Sequence, residues 1–290
     1  MIKKKKTTVL QGEETMRVWK YAVSAAPEAP KTAPILFTGN ICDCLRNAAA
    51  AGFDAIEYHT REDADFDYDL IRKTMKATGC RVSMIVTGRM NTEGGLSLTS
   101  EDPEIEKAAL EGMLRYIDMA AEMKAGIVIG WAKGRIGLTS GPEAYFERLT
   151  RNLRIMDEAA TAKNVPINIE VLNHYETDVF MTAQSLVDYL EEQQFKSCYV
   201  HLDTFHMLLE EEDHPQAIRT AAKHLGYVHV ADATRWYPGS GTISFKAIMR
   251  TLDQVDYEGY ISIECFPRIN ALETASRGLR YLKGIEAGVV

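Results

Sequence analysis

Residues 167–180 read INIEVLNHYETDVF, a short apolar strand that turns polar within a few residues. Glu170 lies inside the apolar run, and Glu176 follows shortly after it. A carboxylate in a buried strand is costly unless it is paired or holds a metal ion. The stretch therefore predicts a functional site at the end of a buried strand.

Three later strands end in the same way. The run CYVHLDTFH brings Asp203 and His206 to its end. The runs GYVHVAD and GYISIECF contain His229 and Glu264. Four successive strands thus carry acids and histidines at their ends, and we expect the rest of the chain to act as the scaffold that brings these ends together.

The bulk composition is that of a globular protein with a large core: 290 residues, 46% hydrophobic and 26% charged. The net charge of −8 argues against nonspecific nucleic-acid binding, which needs a basic face.

The five cysteines lack the spacing of a disulfide framework and are expected to be reduced thiols. No apolar run approaches the ~18 residues of a membrane span, and no apolar region follows the basic start MIKKKK. We therefore expect a soluble, cytoplasmic protein that binds neither nucleic acid nor membrane.

Hydrophobic periodicity predicts short strands that alternate with amphipathic helices. The predicted strands are residues 18–24, 53–58, 81–86, 126–131, 167–171, 197–202, 227–230 and 260–264. The predicted helices are residues 40–51, 69–78, 104–122, 142–163, 183–192, 215–224, 245–254 and 271–285. Such alternation favours parallel pairing, and eight units match the α/β class of the (β/α)8 TIM barrel. The alternative, a doubly wound open sheet, would carry a glycine fingerprint after the first strand, where this chain reads AAPEAPKTAP.

The domain organisation that follows is simple. We expect residues 1–16 to form an N-terminal tail and residues 17–290 to form a single TIM-barrel catalytic domain. Residues 25–39, which contain three prolines, are predicted to be a loop. Residues 87–103 are predicted to be a second, long loop, and loops of that length in compact domains usually have a function.

The four strand ends predict a metal site, because catalytic groups of TIM barrels lie at the C-terminal ends of the strands. Three carboxylates and one imidazole make a hard, oxygen-rich set that suits Mn²⁺, Mg²⁺ or Co²⁺. Taken singly, each residue also has an ordinary explanation, such as a hydrogen-bonded core histidine or an ion-paired glutamate. The predicted ligands are Glu170, Asp203, His229 and Glu264.

The runs EVLNHYE, HLDTFHM, HVADATRWYPGSG and IECF resemble the sugar isomerase/epimerase superfamily with the xylose-isomerase-like barrel. Within it they are most similar to the ketose 3-epimerases of the tagatose/allulose 3-epimerase group. The resemblance covers most of the chain and is strongest over residues 167–266. It implies that the four residues above bind one divalent cation, commonly Mn²⁺ or Co²⁺.

The same resemblance implies a small sugar as substrate and a homo-oligomer, either a dimer or a tetramer. It also implies that Glu176, His206 and Arg235 hold the hydroxyls and the carbonyl end of the substrate. The chain departs from the family at His174, where an arginine is common, and in the segment after the seventh strand. These departures leave the preferred sugar open.

The chemistry of the residues agrees with this assignment. Epimerisation beside a ketone removes a proton on one face and returns it on the other, through an ene-diolate, and two carboxylates can exchange these roles. Glu170 and Glu264 are predicted to be this acid/base pair. Aldose–ketose isomerisation of a sugar or sugar phosphate and inosose-type dehydration are alternatives on the same site, and a sugar-binding barrel is the non-enzyme alternative. A barrel nuclease related to abasic-site endonucleases is disfavoured, because the sequence has no basic stripe.

Basic residues also follow the predicted strands. Arg89 comes after the third strand, and Lys133 and Arg135 come after the fourth, so all three are expected on the catalytic rim. They are candidates for binding a phosphate or carboxylate of the substrate, although they can equally balance the acidic site. Glu57 ends the second strand on the same rim and is expected to form a salt bridge.

Overall fold

The computed structural model describes residues 17–268 and 270–290, so the predicted tail, residues 1–16, lies outside the described residues. The strands are β1 (Lys20–Ala26), β2 (Phe37–Thr38), β3 (Ala55–His59), β4 (Arg81–Val86), β5 (Gly126–Ile129), β6 (Ile167–Glu170), β7 (Cys198–Asp203), β8 (Leu225–Val230) and β9 (Tyr260–Ile263). The α-helices are α1 (Ile41–Ala50), α2 (Tyr68–Thr78), α3 (Gly88–Thr92), α4 (Pro103–Met123), α5 (Pro142–Lys163), α6 (Ala183–Gln193), α7 (Thr204–Glu210), α8 (His214–Ala221), α9 (Phe245–Gln254) and α10 (Ala271–Glu286).

The sheet closes on itself. Its strand order is β2-β1-β3-β4-β5-β6-β7-β8-β9, every pairing is parallel, and β1 also pairs with β9. Eight of these strands form the barrel. The two-residue β2 pairs with the C-terminal end of β1. The predicted (β/α)8 TIM barrel is thereby confirmed, while the single catalytic domain over residues 17–290 stays a prediction.

The helix ends follow from the local sequence. The side chain of Asn40 accepts a hydrogen bond from the backbone N–H of Asp43 and caps α1. Asp102 caps α4 in the same way, ahead of Pro103 at the first helical position. At its C-terminus α4 ends on Lys124, whose left-handed conformation stops the helix.

Three short elements occur where the sequence predicted loops or made no prediction. The predicted loop over residues 25–39 contains β2, and the predicted loop over residues 87–103 contains α3. Helix α7 follows β7 without a break, because the carboxylate of Asp203 accepts a hydrogen bond from the backbone N–H of Phe205 and caps the helix. These elements are short, so their periodicity is too weak to read from one sequence.

The strand register brings the candidate residues to one end of the barrel. Asp203 on β7 lies opposite His229 on β8, and Glu170 on β6 lies opposite His201 on β7. In parallel strands the C-terminal ends share one edge of the sheet, so these side chains meet at the barrel mouth.

All five cysteines are buried and unpaired, as expected. Over residues 17–268 and 270–290, no helix combines the length and the apolar character that crossing a membrane requires.

Candidate active site at the barrel mouth

Buried acids and histidines cluster at the ends of β6 to β9. Asp203 and His229 are almost completely buried, and Glu170 and Glu264 keep only 8% and 6% of their surface exposed. The Nδ1 atom of His229 lies 3.7 Å from Glu170 Oε1 and 3.6 Å from Glu264 Oε2. The structure thus places Glu170 and Glu264 beside Nδ1 of His229, and a carboxylate oxygen of Asp203 lies within 4.8 Å of ligand atoms of Glu170 and His206.

His229 is held by a carboxylate on its other side. Its Nε2 atom donates a hydrogen bond of 2.7 Å to Glu57 Oε2, and Glu57 is fully buried. A histidine whose far nitrogen is bound by a carboxylate presents its other nitrogen in a fixed direction, as metal-binding histidines do. Glu57 forms the predicted ion pair, but it does so beneath the site and not on an exposed rim.

Several buried polar atoms in the cluster have no hydrogen-bond partner among the described residues. They include Asp203 Oδ2, His229 Nδ1 and His206 Nε2. A buried polar atom without a partner is unfavourable, so atoms that are orphaned together and face one point indicate a ligand. His206 Nε2 lies 3.7 Å from Asp203 Oδ2 and 3.9 Å from Glu170 Oε1. The separations of His229 Nδ1 from Glu170 Oε1 and Glu264 Oε2, 3.7 Å and 3.6 Å, suit atoms that share one cation at roughly 2.0–2.2 Å, so the carboxylates and His229 fit a divalent cation.

The electrostatics of the cluster point the same way. Burial raises the pKa of Glu170 to about 8, and repulsion from Glu264 and Asp203 adds to the shift while His229 opposes it. Burial likewise raises the pKa of Asp203 to about 6, against the attraction of Arg235. Burial opposes the charge on His229, but Glu57 and Glu264 raise its pKa to about 10. With pKa values of about 8 and about 10, Glu170 and His229 hold protons at neutral pH, and a divalent cation would displace these protons.

His206 lies on α7 with its ring oriented by a neighbour from the loop after β6. Asn173 Nδ2 donates to His206 Nδ1 at 2.6 Å, while Asn173 Oδ1 accepts from the backbone N–H of Tyr175 at 3.0 Å. Because Nδ1 accepts a hydrogen bond, the ring proton sits on Nε2, the atom that faces the cavity side of the cluster. His206 can therefore donate a hydrogen bond to a substrate oxygen.

Arg235 links the cluster to the second predicted substrate-binding acid. Its Nη2 atom donates to Glu264 Oε2 at 2.8 Å, and its Nη1 atom donates to Glu176 Oε1 at 3.3 Å. The guanidinium lies over the ring of Phe205, 4.9 Å from the centroid. Its position is thus fixed on three sides beside the acids.

A cavity of about 800 Å³ opens beside these side chains. The predicted site residues that line it are Glu170, Glu176, His206, Arg235 and Glu264. Asp203 and His229 lie beneath its floor, buried almost completely. The arrangement can bind a small polar molecule next to two carboxylates, a cationic guanidinium and an imidazole donor.

The three basic residues that were candidates for anion binding do not converge. Arg89 lines the cavity, but its Nε atom is paired with Glu93 at 2.7 Å. Lys133 is buried, its Nζ atom donates to the backbone oxygen of Gly130, and burial lowers its pKa to about 8. Arg135 is exposed to solvent. These positions do not support one anion site built from all three residues.

Asp232 organises the loop that carries Arg235, and the sequence interpretation did not single it out. Its buried carboxylate accepts hydrogen bonds from four backbone N–H groups, at distances of 2.8–3.1 Å. The donors belong to Ala233, Gly239, Gly241 and Ile243. Arg235 itself has φ = 53°, and its backbone N–H donates to the oxygen of Asp232. The signal was present as an aspartate before a turn of the type PGSG, which leaves several N–H groups unpaired.

We expect Asp232→Ala to lower the free energy of unfolding by about 2–4 kcal/mol, because four buried N–H donors lose their acceptor. Urea unfolding of the metal-free protein measures this value. Asp213→Ala is the matched control, since Asp213 is exposed at the surface and its change should stay within about 0.5 kcal/mol. Equal effects of the two substitutions would show that Asp232 does not hold the loop.

Other buried polar groups were also missed. His201 lies fully buried below the cluster, with its ring 4.1 Å from that of His229, and neither of its ring nitrogens has a partner among the described residues. Burial keeps its pKa well below the usual range, so it is neutral. His59 Nε2 lies 3.7 Å from both Glu57 and Glu264. A single histidine in an apolar strand gave no signal that could separate these residues from ordinary core positions.

A closed parallel barrel with buried acids and histidines at its C-terminal mouth is the arrangement of a TIM-barrel enzyme. Residues 45–285 match the model of the family described as xylose isomerase-like TIM barrel, and the chain belongs to this family. The resemblance seen in the sequence motifs is thereby confirmed.

Individual relatives agree with the family. The L-ribulose 3-epimerase of Mesorhizobium japonicum is 30% identical over 224 residues, 77% of this chain and 74% of that protein. The 3-dehydro-D-guloside 4-epimerase of Escherichia coli is 27% identical over 239 residues, 79% of this chain and 88% of that protein. Among solved structures, one described as L-ribulose 3-epimerase superposes with a TM-score of 0.79 at 22% identity, covering 94% of this chain and 96% of that chain. The protein is accordingly an isomerase, as predicted.

Proposed function

We propose that the protein epimerises a ketose, or a ketose derivative, at C3 through an ene-diolate, with Glu170 and Glu264 as the acid/base pair. The observation that carries this proposal is the placement of both glutamates beside His229 Nδ1, at 3.7 Å and 3.6 Å, where both line the cavity. The relatives named as 3-epimerases of ketoses support the choice of substrate and carbon.

The reaction needs one carboxylate on each face of the reacting carbon. One glutamate takes the proton from C3, the electron pair moves towards the ketone, and the other glutamate returns a proton to the opposite face. Microscopic reversibility exchanges the two roles for the other epimer. Glu170 on β6 and Glu264, which follows β9, reach the cavity from separate strands, and this supports the assignment of one glutamate to each face.

Three further residues orient the sugar. His206 donates from Nε2, and Arg235 donates from a guanidinium already held between Glu176 and Glu264. Glu176 accepts hydrogen bonds from substrate hydroxyls. Fixed donors of this kind stabilise the negative charge that develops on the substrate oxygens during proton removal.

The proposed cofactor is one divalent cation, with Mn²⁺ favoured and Co²⁺ or Mg²⁺ as alternatives. The residues that would hold it are Glu170, Asp203, His229 and Glu264. When bound, such a cation supplies Lewis-acid stabilisation of the developing charge. Three carboxylates and one imidazole match the preference of these ions for hard ligands.

A second candidate is 4-epimerisation of a 3-keto sugar, which the relative from E. coli supports. The proton transfer is the same, with the ketone and the exchanged hydrogen each moved by one carbon. Aldose–ketose isomerisation also uses the same groups, but it places the exchanged hydrogen at C1 or C2.

Hydrogen exchange in D₂O separates these reactions. The Mn²⁺-loaded protein is incubated with L-ribulose, D-allulose, D-tagatose, D-fructose, their phosphates and a 3-keto-glucoside, and deuterium is followed by NMR. Deuterium at C3 together with the C3 epimer is the expected result. Deuterium at C4 of the keto-glucoside supports the second candidate, and deuterium at C1 or C2 with aldose formation supports an isomerase. No exchange with any sugar, with metal bound, would overturn the proposal.

The affinity for Mn²⁺ is expected to rise as the pH is raised from about 6 to about 8. The pKa of Asp203 is raised to about 6 and that of Glu170 to about 8, so both carboxyls must lose protons before they bind a cation, whereas His229, with a pKa of about 10, releases its proton at both pH values. Calorimetry in buffers of different ionisation enthalpy counts the protons released. We expect about one proton more at pH 6 than at pH 8, and an equal count at both would contradict this account.

Gly130→Ala is expected to lower the exchange rate by about 100-fold. A methyl group at this position would lie 2.7 Å from Glu170 Oε2, so the carboxylate has to move. The displaced atom is the flexible end of a side chain, and the barrel should therefore still fold. The rate is compared at saturating Mn²⁺, with circular dichroism as the check on folding. An unchanged rate would show that the position of the Glu170 carboxylate is not critical.

A further inference from the structure

The cavity has more room than a single ketose fills. Its volume is about 800 Å³. A six-carbon ketose has roughly a dozen non-hydrogen atoms and takes up no more than about 360 Å³, even at the loose packing of liquid water. Less than half of the cavity is therefore filled by one sugar ring at the cluster.

The remaining space lies towards the opposite side of the barrel mouth. The acids and histidines of the cluster come from β6 to β9, whereas the other lining residues come mainly from the segment after β1 and from α3, which follows β4. In the closed strand order, β4 is separated from β8 by three strands on either side. Because β1 pairs with β9, the segment after β1 adjoins the cluster, and the part of the cavity lined by α3 is the part that lies across the mouth from it.

One aromatic ring lies between the cluster and this second part of the cavity. The ring of Trp131 lines it and is 42% exposed, an unusual state for the largest apolar side chain. Its Nε1 atom donates to Glu176 Oε2 at 3.1 Å, which fixes the indole next to the proposed substrate-binding acid. Pro30 and Pro34 add rigid apolar surface from the segment after β1. A flat, exposed aromatic ring suits the apolar face of a sugar ring.

The same region has charged groups that are already held in place. Arg89 Nε donates to Glu93 Oε1 at 2.7 Å, and Arg89 Nη1 donates to the backbone oxygen of Glu28 at 3.3 Å. This pairing ties α3 to the segment after β1 and leaves further N–H groups and carboxylate oxygens for hydroxyls. Paired arginine and glutamate side chains recognise hydroxyls and exclude a purely apolar ligand.

We propose that this region, defined by Arg89, Glu93, Thr92 and Trp131 and named the distal subsite, binds a second sugar ring. The substrate is then a keto-sugar that carries a glycosyl substituent, with its reacting carbon at the cluster. The inference rests on the proposed function. It goes beyond that function by stating that the free ketose is the poorer substrate.

The test compares sugars that share the reacting carbons. Isomaltulose and leucrose are fructose units glucosylated at O6 and O5, and both keep the ketone at C2 and the hydrogen at C3. Exchange at C3 in D₂O gives kcat/KM for each and for D-fructose. We expect at least one disaccharide to exceed D-fructose by about tenfold or more, a range typical of one well-formed subsite.

Two variants connect the preference to the distal subsite. Arg89→Met and Trp131→Ala should each lower the ratio of kcat/KM for the preferred disaccharide to that for D-fructose by about fivefold or more. Leu138→Ala is the matched control, because Leu138 is 75% exposed on the segment that follows Trp131 and lies outside the cavity lining. It should leave the ratio unchanged.

The outcomes separate the two proposals. A free ketose that reacts as well as or better than both disaccharides, or a ratio that neither variant changes, would overturn the distal subsite and leave the proposed function standing. No exchange with any sugar, in protein shown to hold Mn²⁺, would overturn the proposed function and the inference with it.

Discussion

Glu264→Gln abolishes epimerisation in both directions, with a rate lower by about 10³- to 10⁴-fold at saturating Mn²⁺. Glutamine keeps the size of the side chain and one oxygen for a cation, but it cannot take up a proton. Glu170 remains and can still exchange the hydrogen of the epimer whose C3–H bond faces it. The variant should therefore exchange deuterium into one epimer without inverting it.

Glu170→Gln is the reciprocal test. It should also block epimerisation, and it should retain exchange only for the other epimer. Glu258→Gln serves as the control, since the side chain of Glu258 is 84% exposed and lies outside the cavity lining. Exchange of the same epimer by both glutamine variants, or full turnover by Glu264→Gln with metal bound, would refute the two-carboxylate assignment.

Asp203→Asn lowers the affinity for Mn²⁺ by at least about 100-fold. The Oδ2 atom of Asp203 is buried and has no hydrogen-bond partner among the described residues, while Oδ1 accepts from the backbone N–H of Phe205 at 2.8 Å. Asparagine keeps an oxygen that accepts the hydrogen bond from the backbone N–H of Phe205. It places an N–H₂ group where the partnerless Oδ2 atom of Asp203 lies. Calorimetry gives the affinity directly.

Thermal unfolding gives an independent measure of the same change. Mn²⁺ at 100 times its dissociation constant should stabilise the wild-type protein by about 2.7 kcal/mol, and the variant by a small fraction of that value. Burial raises the pKa of Asp203 to about 6, so above this pH the charge is unfavourable in the metal-free protein. At pH 8, removing the charge should therefore not destabilise the metal-free variant. Asp213→Asn is the surface control, and an equal Mn²⁺-induced shift in Asp203→Asn would contradict the metal site.

The fold and the core of the site could be predicted because both depend on local patterns. Apolar runs a few residues long, alternating with amphipathic helices, specify a parallel barrel, and such a barrel fixes where strand ends lie. Each predicted metal ligand lies at the C-terminal end of a strand or close to it, so the topology alone predicted that their side chains would lie together at the barrel mouth. These ligands are Glu170, Asp203, His229 and Glu264. The sequence runs around these ligands then indicated the xylose isomerase-like TIM-barrel family.

The rest depended on contacts between distant parts of the chain. Glu57 binds His229, which is 172 residues away, and no periodicity relates two such positions. Lys133 was expected on the rim because it follows the fourth predicted strand, but it lies at the end of a short 3₁₀ helix over Trp131–Lys133 and its side chain is buried. Asn173 and Asp232 act by orienting His206 and the loop of Arg235, and their role appears only from the direction of hydrogen bonds. The size of the cavity likewise depends on how loops after β1 and β4 pack together.

The most direct test of the account is the position of the cation. Crystals of the protein soaked in Mn²⁺ and measured near the manganese absorption edge give an anomalous difference map. The account predicts one strong peak at the barrel mouth, about 2.0–2.3 Å from oxygen or nitrogen atoms of Glu170, Asp203, His229 and Glu264. No peak at this position in protein that binds Mn²⁺ in solution, or a peak held by other residues, would contradict it.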